Sequence, residues 1–361
     1  MSTVNEDYGK AGVGIGQHRG PGERWDGPPS EHAPVAPFNP FGEPIAEQAL
    51  GLQEAIDRLG YVPSIAAQRM GGSRSYLIVA LNDRERTLAD WRSRQGSDWV
   101  NQMLLGGMLT CAAHGYRMIV ELVDTHSAHI ERELSGAIAA LQPDGVILTP
   151  PHSANPLILD FLEKRQIVFA RIGSSAPGPG FALSTDDEGA ARDVTRHLID
   201  LGHRRIGLIA GSDEYEQSAW RVAGWRDAMA AAGLDTADLL APGDFSFASG
   251  TRAAQALLDL PSPPTAIIAS NDQMALATLD VTRERGLAVP DALSLVSFDD
   301  TPIVRYTHPP LAAVSQPIAD VSARAAQLII DRTMGRPVDG EPLVIPSTFV
   351  PRGSIAPPPS R

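Results

Sequence analysis

The polar residues best suited to recognising a ligand stand directly after short apolar runs. Ala266-Ile267-Ile268-Ala269 is followed by Ser270-Asn271-Asp272, and the run at 294–298 is followed by Asp299-Asp300. The helical pattern after Ile209 opens with Ser218, Arg221 and Gly224. An acid, an amide and a guanidinium suit a polyhydroxylated molecule: the carboxylate accepts from vicinal hydroxyls, the amide donates and accepts, and the guanidinium donates in a fixed fork. A sugar ring also has an apolar C–H side, for which Phe245 and Trp220 are the aromatic candidates. Plainer roles are open to each of them. Asn271 or Asp272 can cap the helix that follows, Asp300 before Thr301-Pro302 can shape a turn, Arg221 can be a solvated helix residue, and Trp220 and Trp225 can be packing groups.

Other chemistries find less support. The sequence contains no G-x-S-x-G, no H-E-x-x-H and no G-x-x-x-x-G-K-[ST], so an enzyme is not expected and no cofactor is implied. The nine histidines are scattered, and the close pair His126 and His129 lies in an apparent loop without a further clustered ligand, so no metal site is expected. The single cysteine, Cys111, sits in an apolar helical stretch and reads as an inert packed thiol. Asp186-Asp187-Glu188 directly precedes a helix, where acidic residues favour the N-terminal dipole, so capping is the expected role. Gly12, Gly14 and Gly16 miss the G-x-G-x-x-G spacing because Arg19 stands at the third position.

Holding the polar groups together requires a scaffold, and the chain is long enough for one. With 361 residues, 43% hydrophobic and 20% charged, it has the composition of a folded protein of two or three domains. The balance of 30 basic against 43 acidic residues leaves a formal net charge of −13, which favours solubility and confines any nucleic-acid contact to a local patch. No run of about 18 apolar residues occurs, and no basic segment leads into an apolar stretch. With one cysteine and hence no intramolecular disulfide, a cytoplasmic protein that makes no use of a membrane fits best.

From residue 76 onward apolar runs alternate with amphipathic helical patterns. Strands are predicted at 76–81, 117–123, 145–148 and 167–171, with helices at 98–114, 130–141 and 156–164. A second series has strands at 205–209, 266–269 and 294–298, with helices at 189–201, 218–232, 249–258 and 272–285. Such alternation builds parallel sheets from βα units, and two series make two lobes. Strands as apolar as Ile206-Gly207-Leu208-Ile209 are covered by helices on both faces. Ligands of these sheets lie at the carboxyl ends of the strands, where the polar residues above stand.

The first residues read differently. Between Gly9 and Pro44, 8 Gly and 7 Pro fall in 36 residues without apolar periodicity, the composition of a loose arm. Ala49, Leu52, Ile56 and Leu59 then recur at helical spacing with Gly60 as a cap, and 64–70 reads as a second short helix between Pro63 and Gly71-Gly72.

Several blocks together resemble the lactose-repressor/galactose-repressor (LacI/GalR) family of bacterial transcription regulators. They are Leu59-Gly60-Tyr61-Val62-Pro63-Ser64 with Ala66-Ala67-Gln68-Arg69-Met70, then His197-Leu198-Ile199-Asp200-Leu201-Gly202-His203-Arg204-Arg205-Ile206, Arg221-Val222-Ala223-Gly224-Trp225, Ala269-Ser270-Asn271-Asp272-Gln273-Met274-Ala275 and Ser297-Phe298-Asp299-Asp300-Thr301. They follow family order and spacing over about residues 52–352. The resemblance implies an α/β, two-lobed periplasmic-binding-protein-like fold of two parallel-sheet subdomains, preceded by a partial all-α headpiece and a hinge helix. It divides the chain into a Gly/Pro-rich disordered arm (1–46), a headpiece remnant with the hinge helix (47–73), a first subdomain (74–184 plus 318–336) and a second (185–317 plus 337–354).

The implied function is that of a sugar-responsive transcriptional regulator of repressor type, with a small effector in the interlobe cleft and operator DNA bound as a homodimer. The effector of such a protein is usually a sugar or sugar phosphate, sometimes a purine. By resemblance Arg221, Asn271 and Asp299 contact it, Phe245 covers it, Gln316 lies at the crossover to the first lobe, and Arg171 adds a donor. The hinge helices of two subunits would pair over DNA and wedge Met70 into the minor groove, with Ser64, Ala67 and Arg69 facing the groove or its phosphates. Ser64 as the cap of an ordinary linker helix stays open. Dimerisation would fall to the first lobe, where Trp99, Met103, Leu104, Met108 and Leu109 offer more apolar surface than one helix face needs, although core burial is the favoured reading for most of it. The chain departs from the family upstream. Where relatives carry V-A-x-x-A-G-V-S-x-x-T-V-S-R, only Lys10-Ala11-Gly12-Val13 echoes it, and 3 basic against 7 acidic residues between Met1 and Leu50 give −4, the wrong sign for phosphates. A DNA-binding-deficient cytoplasmic sugar-binding protein derived from such a regulator is therefore the alternative.

Overall fold

The structure, a computed structural model, describes Arg58 and residues 74–359. The expected arm and the hinge residues Ser64, Ala67, Arg69 and Met70 lie outside the described residues. Two six-stranded sheets organise the rest. The first contains β1 (Leu77–Asp83), β2 (Arg117–Val123), β3 (Gly145–Leu148), β4 (Val168–Ile172), β5 (Phe181–Thr185) and β11 (Leu343–Ile345), in the order β11-β5-β4-β3-β1-β2, all parallel. The second contains β6 (Ile206–Ile209), β7 (Leu240–Ala241), β8 (Ala266–Ala269), β9 (Ser294–Asp299), β10 (Ala312–Ser315) and β12 (Thr348–Val350), in the order β12-β10-β9-β8-β6-β7, with only β12 antiparallel. Both orders reverse beside their first strand, at β1/β3 and at β6/β8. Such a switch point opens a crevice at the strand ends, and here there are two.

Helices cover both faces of each sheet, as the apolar strands require. All seven residues of β1 are buried. Ile78 and Ala80 pack with Met103 and Ile329 on one face, while Leu77, Val79 and Leu81 pack with Leu134, Ile158 and Leu162 on the other. The second lobe repeats this, with Ile267 and Ala269 against Met274, and Ala266 and Ile268 against the fully buried Trp225. Burial of each large side chain stabilises by about 1.5–3 kcal/mol. One device recurs in both lobes. A Cβ on Gly106 would lie 1.8 Å from the Ala319 carbonyl oxygen, and one on Gly224 would lie 2.0 Å from that of Glu188. The Asp98–Ala113 helix thus crosses Ile318–Thr333, and Glu216–Ala231 crosses Asp187–Asp200, at a separation only glycine permits.

The elements predicted from residue 76 onward are present with ends shifted by a residue or two, and the short helices expected before it lie, apart from Arg58, outside the described residues. Several elements carried no expectation, among them the helices Arg84–Ser93, Pro302–Arg305 and Ile318–Thr333 and strands β5, β7, β10, β11 and β12. The allotment of 337–354 to the second subdomain needs correction. β11 pairs with β5 in the first sheet because the chain returns there before crossing to β12. The chain crosses between lobes three times, from β5 into the Asp187–Asp200 helix, from β10 into Ile318–Thr333, and from β11 to β12. The crossings are tied together. The Asp186 amide donates to the Ile345 carbonyl at 3.2 Å, and Gln316 Nε2 donates to Asp187 Oδ1 at 2.8 Å.

Candidate functional site

A cleft lies between the carboxyl ends of the two sheets; its space, open solvent included, is about 940 Å³. Asn82, Asp83 and Thr149 reach it from the first switch point, and Tyr215, Phe245, Asn271, Asp299 and Gln316 from the second lobe and its crossover.

Arg221 is the centre of the second lobe's wall. Its Nε and one terminal nitrogen both lie 2.8 Å from Asp187 Oδ1, and the other terminal nitrogen donates to the Ser270 carbonyl. The guanidinium lies 4.5 Å from the Phe298 ring centre and 5.9 Å from that of Phe245. A charge this deeply buried persists because it is paired and hydrogen-bonded. Asp187 also accepts from Thr185 at 2.5 Å and from Gln316 at 2.8 Å. Capping is the role expected of the acidic run, and Asp186 does cap, accepting from the Gly189 amide. Asp187 acts differently, since it seats Arg221.

Asn271 has the capping role open to it and also braces a loop. Its Oδ1 caps the Asp272–Glu284 helix by accepting from the Met274 amide at 2.9 Å, and its Nδ2 donates to the Phe245 carbonyl at 2.8 Å. That bond helps hold Phe245 in the left-handed region, φ +68°, with its ring in edge contact with Tyr215. Asp299 and Asp300 are both left-handed, φ +89° and +58°, a conformation that costs on the order of 1–3 kcal/mol at a non-glycine residue. Asp299 lines the cleft, while Asp300 is pinned by Arg352 at 2.6 Å and Arg305 at 3.2 Å, so both the turn and an ion pair are its work. Next to Asp299, the Asp272 carboxylate accepts from Ser297 and, at 2.7 Å, from the Thr301 amide. Burial pushes both Asp272 and Asp299 above the usual carboxylate range, and the charge of Asp299 adds to the shift of Asp272.

Two aromatic candidates separate. Phe245 lines the cleft and Trp220 does not; Trp225 packs in the core and donates from Nε1 to the Ile206 carbonyl at 3.1 Å. Arg171 also stands apart from the cleft lining. It turns under its own loop to donate to Ser174 at 2.9 Å and the Ala176 carbonyl at 2.8 Å, so the donor expected from it is engaged locally. Cys111 is buried, with its thiol pushed up to about 11 by burial, and is inert at neutral pH.

The first lobe contributes residues for which the sequence raised no expectation. Asp83 caps the Arg84–Ser93 helix by accepting from the Arg86 amide at 2.9 Å, and its other oxygen accepts from Thr125 at 2.6 Å. Arg86 pairs with Asp90 at 3.1 Å and reaches across to the Asp244 carbonyl at 2.7 Å. Asp98 and Trp99, at the start of the next helix, complete that wall. Trp99, expected in the core or on a dimer face, lines the cleft. Among its companions Met103 is buried, whereas Met108 and Leu109 are exposed. A second tie between lobes joins His126 to Glu214 at 2.7 Å, and the hydrogen bond and charge of Glu214 raise the His126 pKa. Ligand-capable atoms of Asp83 and Asp124 lie within 4.8 Å of one another and of His126. The Asp83 oxygens already accept from the Thr125 hydroxyl and the Arg86 amide, and Asp124 accepts from the His126 amide, which makes this a hydrogen-bond network.

Comparison with known proteins places this geometry among relatives. Residues 195–355 match the model of a periplasmic binding protein-like domain. The HTH-type transcriptional repressor CytR of Escherichia coli K12 is 31% identical over 84% of this chain and 86% of its own length. The structure of a transcriptional regulator CelR–cellobiose complex superposes with a TM-score of 0.70 at 27% identity, covering 86% of this chain and 92% of that one. A regulatory protein of the LacI family from Chloroflexus aggregans gives a TM-score of 0.66 at 26% identity, over 78% and 98% of the two chains.

Proposed function

Because this chain belongs to the LacI family of transcriptional regulators, we propose that the interlobe cleft is the effector site of a sugar-responsive repressor that acts on operator DNA as a homodimer. The supporting observation is a cleft walled by both lobes in which Asp299, Asn271 and the Phe245 ring surround one space beside a guanidinium fixed by Asp187. Asp299 accepts ligand hydroxyls, Asn271 keeps one N–H and one lone pair for them, and Phe245 covers the apolar side of the ring. Arg221 organises this wall, and Gln316 links it to the crossover. Closure around the ligand alters the spacing of the paired hinge segments, in which Met70 is the groove wedge and Ser64, Ala67 and Arg69 face the DNA.

Effector binding shifts the lobes only by its differential affinity for their two arrangements, so effector and operator affinities are reciprocally coupled. Operator affinity of the full chain, titrated with cellobiose and a set of monosaccharides, is expected to change by about 5–150-fold with the true effector. A ligand that binds yet leaves DNA affinity untouched rules out the regulatory role. Asp299→Ala is expected to abolish the thermal stabilisation by ligand, which amounts to about 2.7 kcal/mol at 100 times its Kd. A second reading, a sugar sensor that no longer reads DNA, draws on the local charge of −4 (3 basic, 7 acidic) over residues 1–50. A ligand-induced thermal shift without any gel shift on palindromic DNA identifies it.

A further inference from the structure

The charges around the cleft are unbalanced. Among the described residues, Asp83, Asp90, Asp98, Asp272 and Asp299 line it, against only Arg86 and Arg221. Both arginines already have partners. Arg221 directs its guanidinium to Asp187 and the Ser270 carbonyl, and Arg86 directs its own to Asp90 and the carbonyls of Asp244 and Phe245. Helix N-termini are the other usual home of a phosphate. Of the helices that begin at this cleft, four bring a carboxylate to their own positive end: Asp83 as the cap of one, and Asp98, Glu216 and Asp272 in the first turns of the others. The Gln217 Oε1 acceptor, buried and without a donor among the described residues, faces the same space.

We propose that the cleft accepts neutral or amine-bearing polyols and rejects anionic ones, so that sugar phosphates and sugar acids are not effectors of this chain. The inference rests on the reading of the cleft as the effector site and narrows its ligand class. Asp90 and Asp98 stand on the first lobe, Asp272 and Asp299 on the second, so closure brings carboxylates toward one another. A ligand rich in hydroxyl or ammonium donors offsets that repulsion by hydrogen-bonding to both walls. A phosphate or carboxylate adds a further like charge in a space where no described residue offers a free cation to meet it. The raised proton affinity of Asp299 reports the same crowding: burial is its largest cause, Arg221 opposes it, and Asp187 and Asp98 add to it.

Calorimetry and thermal melts of the full chain with matched sets test this: glucose with glucosamine and glucose 6-phosphate, ribose with ribose 5-phosphate, and cellobiose with cellobionate. In the set that binds, the neutral or amine member is expected to bind at least about tenfold tighter than its anionic counterpart. An anionic member that binds as tightly as its parent overturns the inference and leaves the effector site standing. A complete lack of binding overturns the effector reading itself, and this inference with it. Asp98→Asn is expected to narrow the discrimination by several-fold; unchanged discrimination in a variant with normal ligand affinity assigns it to shape and also overturns the proposal.

Discussion

The two lobes share one strand order, yet they hold their halves of the cleft in different ways. In the second lobe the polar groups are locked together: Arg221 and Asp187 are buried and paired, Asn271 joins a helix cap to the Phe245 loop, and Asp272 holds the turn after β9. In the first lobe Arg86 and Asp90 ride on a helix whose only buried residue is Thr87, and the partners of Arg86 across the cleft are backbone carbonyls. On the proposed function, one wall is a prearranged bed and the other a jaw that closes on it, so that affinity for the polar groups of a ligand resides in the second lobe and the response to it in contacts the first lobe can make and break.

The largest effect is expected from Asp187→Ala, which leaves the Arg221 charge buried without its partner; a loss of about 3–5 kcal/mol in urea denaturation follows. Asp90→Ala in the other wall, measured in the same way, is expected to cost under about 1 kcal/mol. Equal losses would erase the distinction between bed and jaw. Next come Gly106→Ala and Gly224→Ala, each adding a methyl group against a backbone carbonyl at a helix crossing, with an expected cost of about 1–3 kcal/mol. Since this device is common to the lobes, comparable losses are expected, and a large disparity would show that one crossing relaxes and the other does not.

Acid separates the walls by sign. Burial raises the Asp272 and Asp299 pKa values, so the folded chain retains protons that the unfolded chain has released, and the pair's contribution to stability is lost as pH rises from about 4 through about 7. For Asp83 burial works upward, but the hydrogen bonds from Thr125 and Arg86 outweigh it and lower the pKa, so its contribution is present above the ordinary carboxylate range and lost on further acidification. Melting temperatures of Asp299→Asn are therefore expected to lose part of the decline between pH 4 and pH 7, and an undiminished slope would remove the pair as its source. The smallest effect belongs to His126→Ala. The pair with Glu214 is largely exposed, so its loss is expected to weaken effector binding by no more than about fivefold at pH 6, less at pH 8 as the raised His126 pKa is passed, and less again in high salt. Identical titrations at both pH values would mean that the pair does not bias closure.

What the sequence made legible follows the same division. Asn271 and Asp299 stand at the ends of short, buried, mostly apolar strands, so the period of the pattern and the rule of carboxyl-end binding find them together. Asn82 and Asp83 obey the same rule at β1, but they run straight into Arg84-Glu85-Arg86 and merge with a charged stretch in which no single residue stands out. Arg86 and Asp90 are beyond the reach of periodicity. Their helix, Arg-Glu-Arg-Thr-Leu-Ala-Asp-Trp-Arg-Ser, has no apolar stripe and is held by the Asp83 cap, the Arg86–Asp90 pair and a left-handed Arg94 at its end. The acidic run at 186–188 reads as a cap from its neighbours in sequence, whereas the partner that gives Asp187 its role lies 34 residues away. β11 and β12 are three residues each and carry too little pattern to announce which sheet they join.

The three crossings between lobes have a mechanical meaning. Asp186 fastens the first to the third, Asp187 fastens the first to the second, and the same Asp187 grips Arg221. The fulcrum of the molecule and the floor of its cleft are therefore a single joint. On the proposed function, a guest that nudges this guanidinium applies torque at the pivot itself, and no relay of intervening side chains is needed to swing one half of the protein against the other.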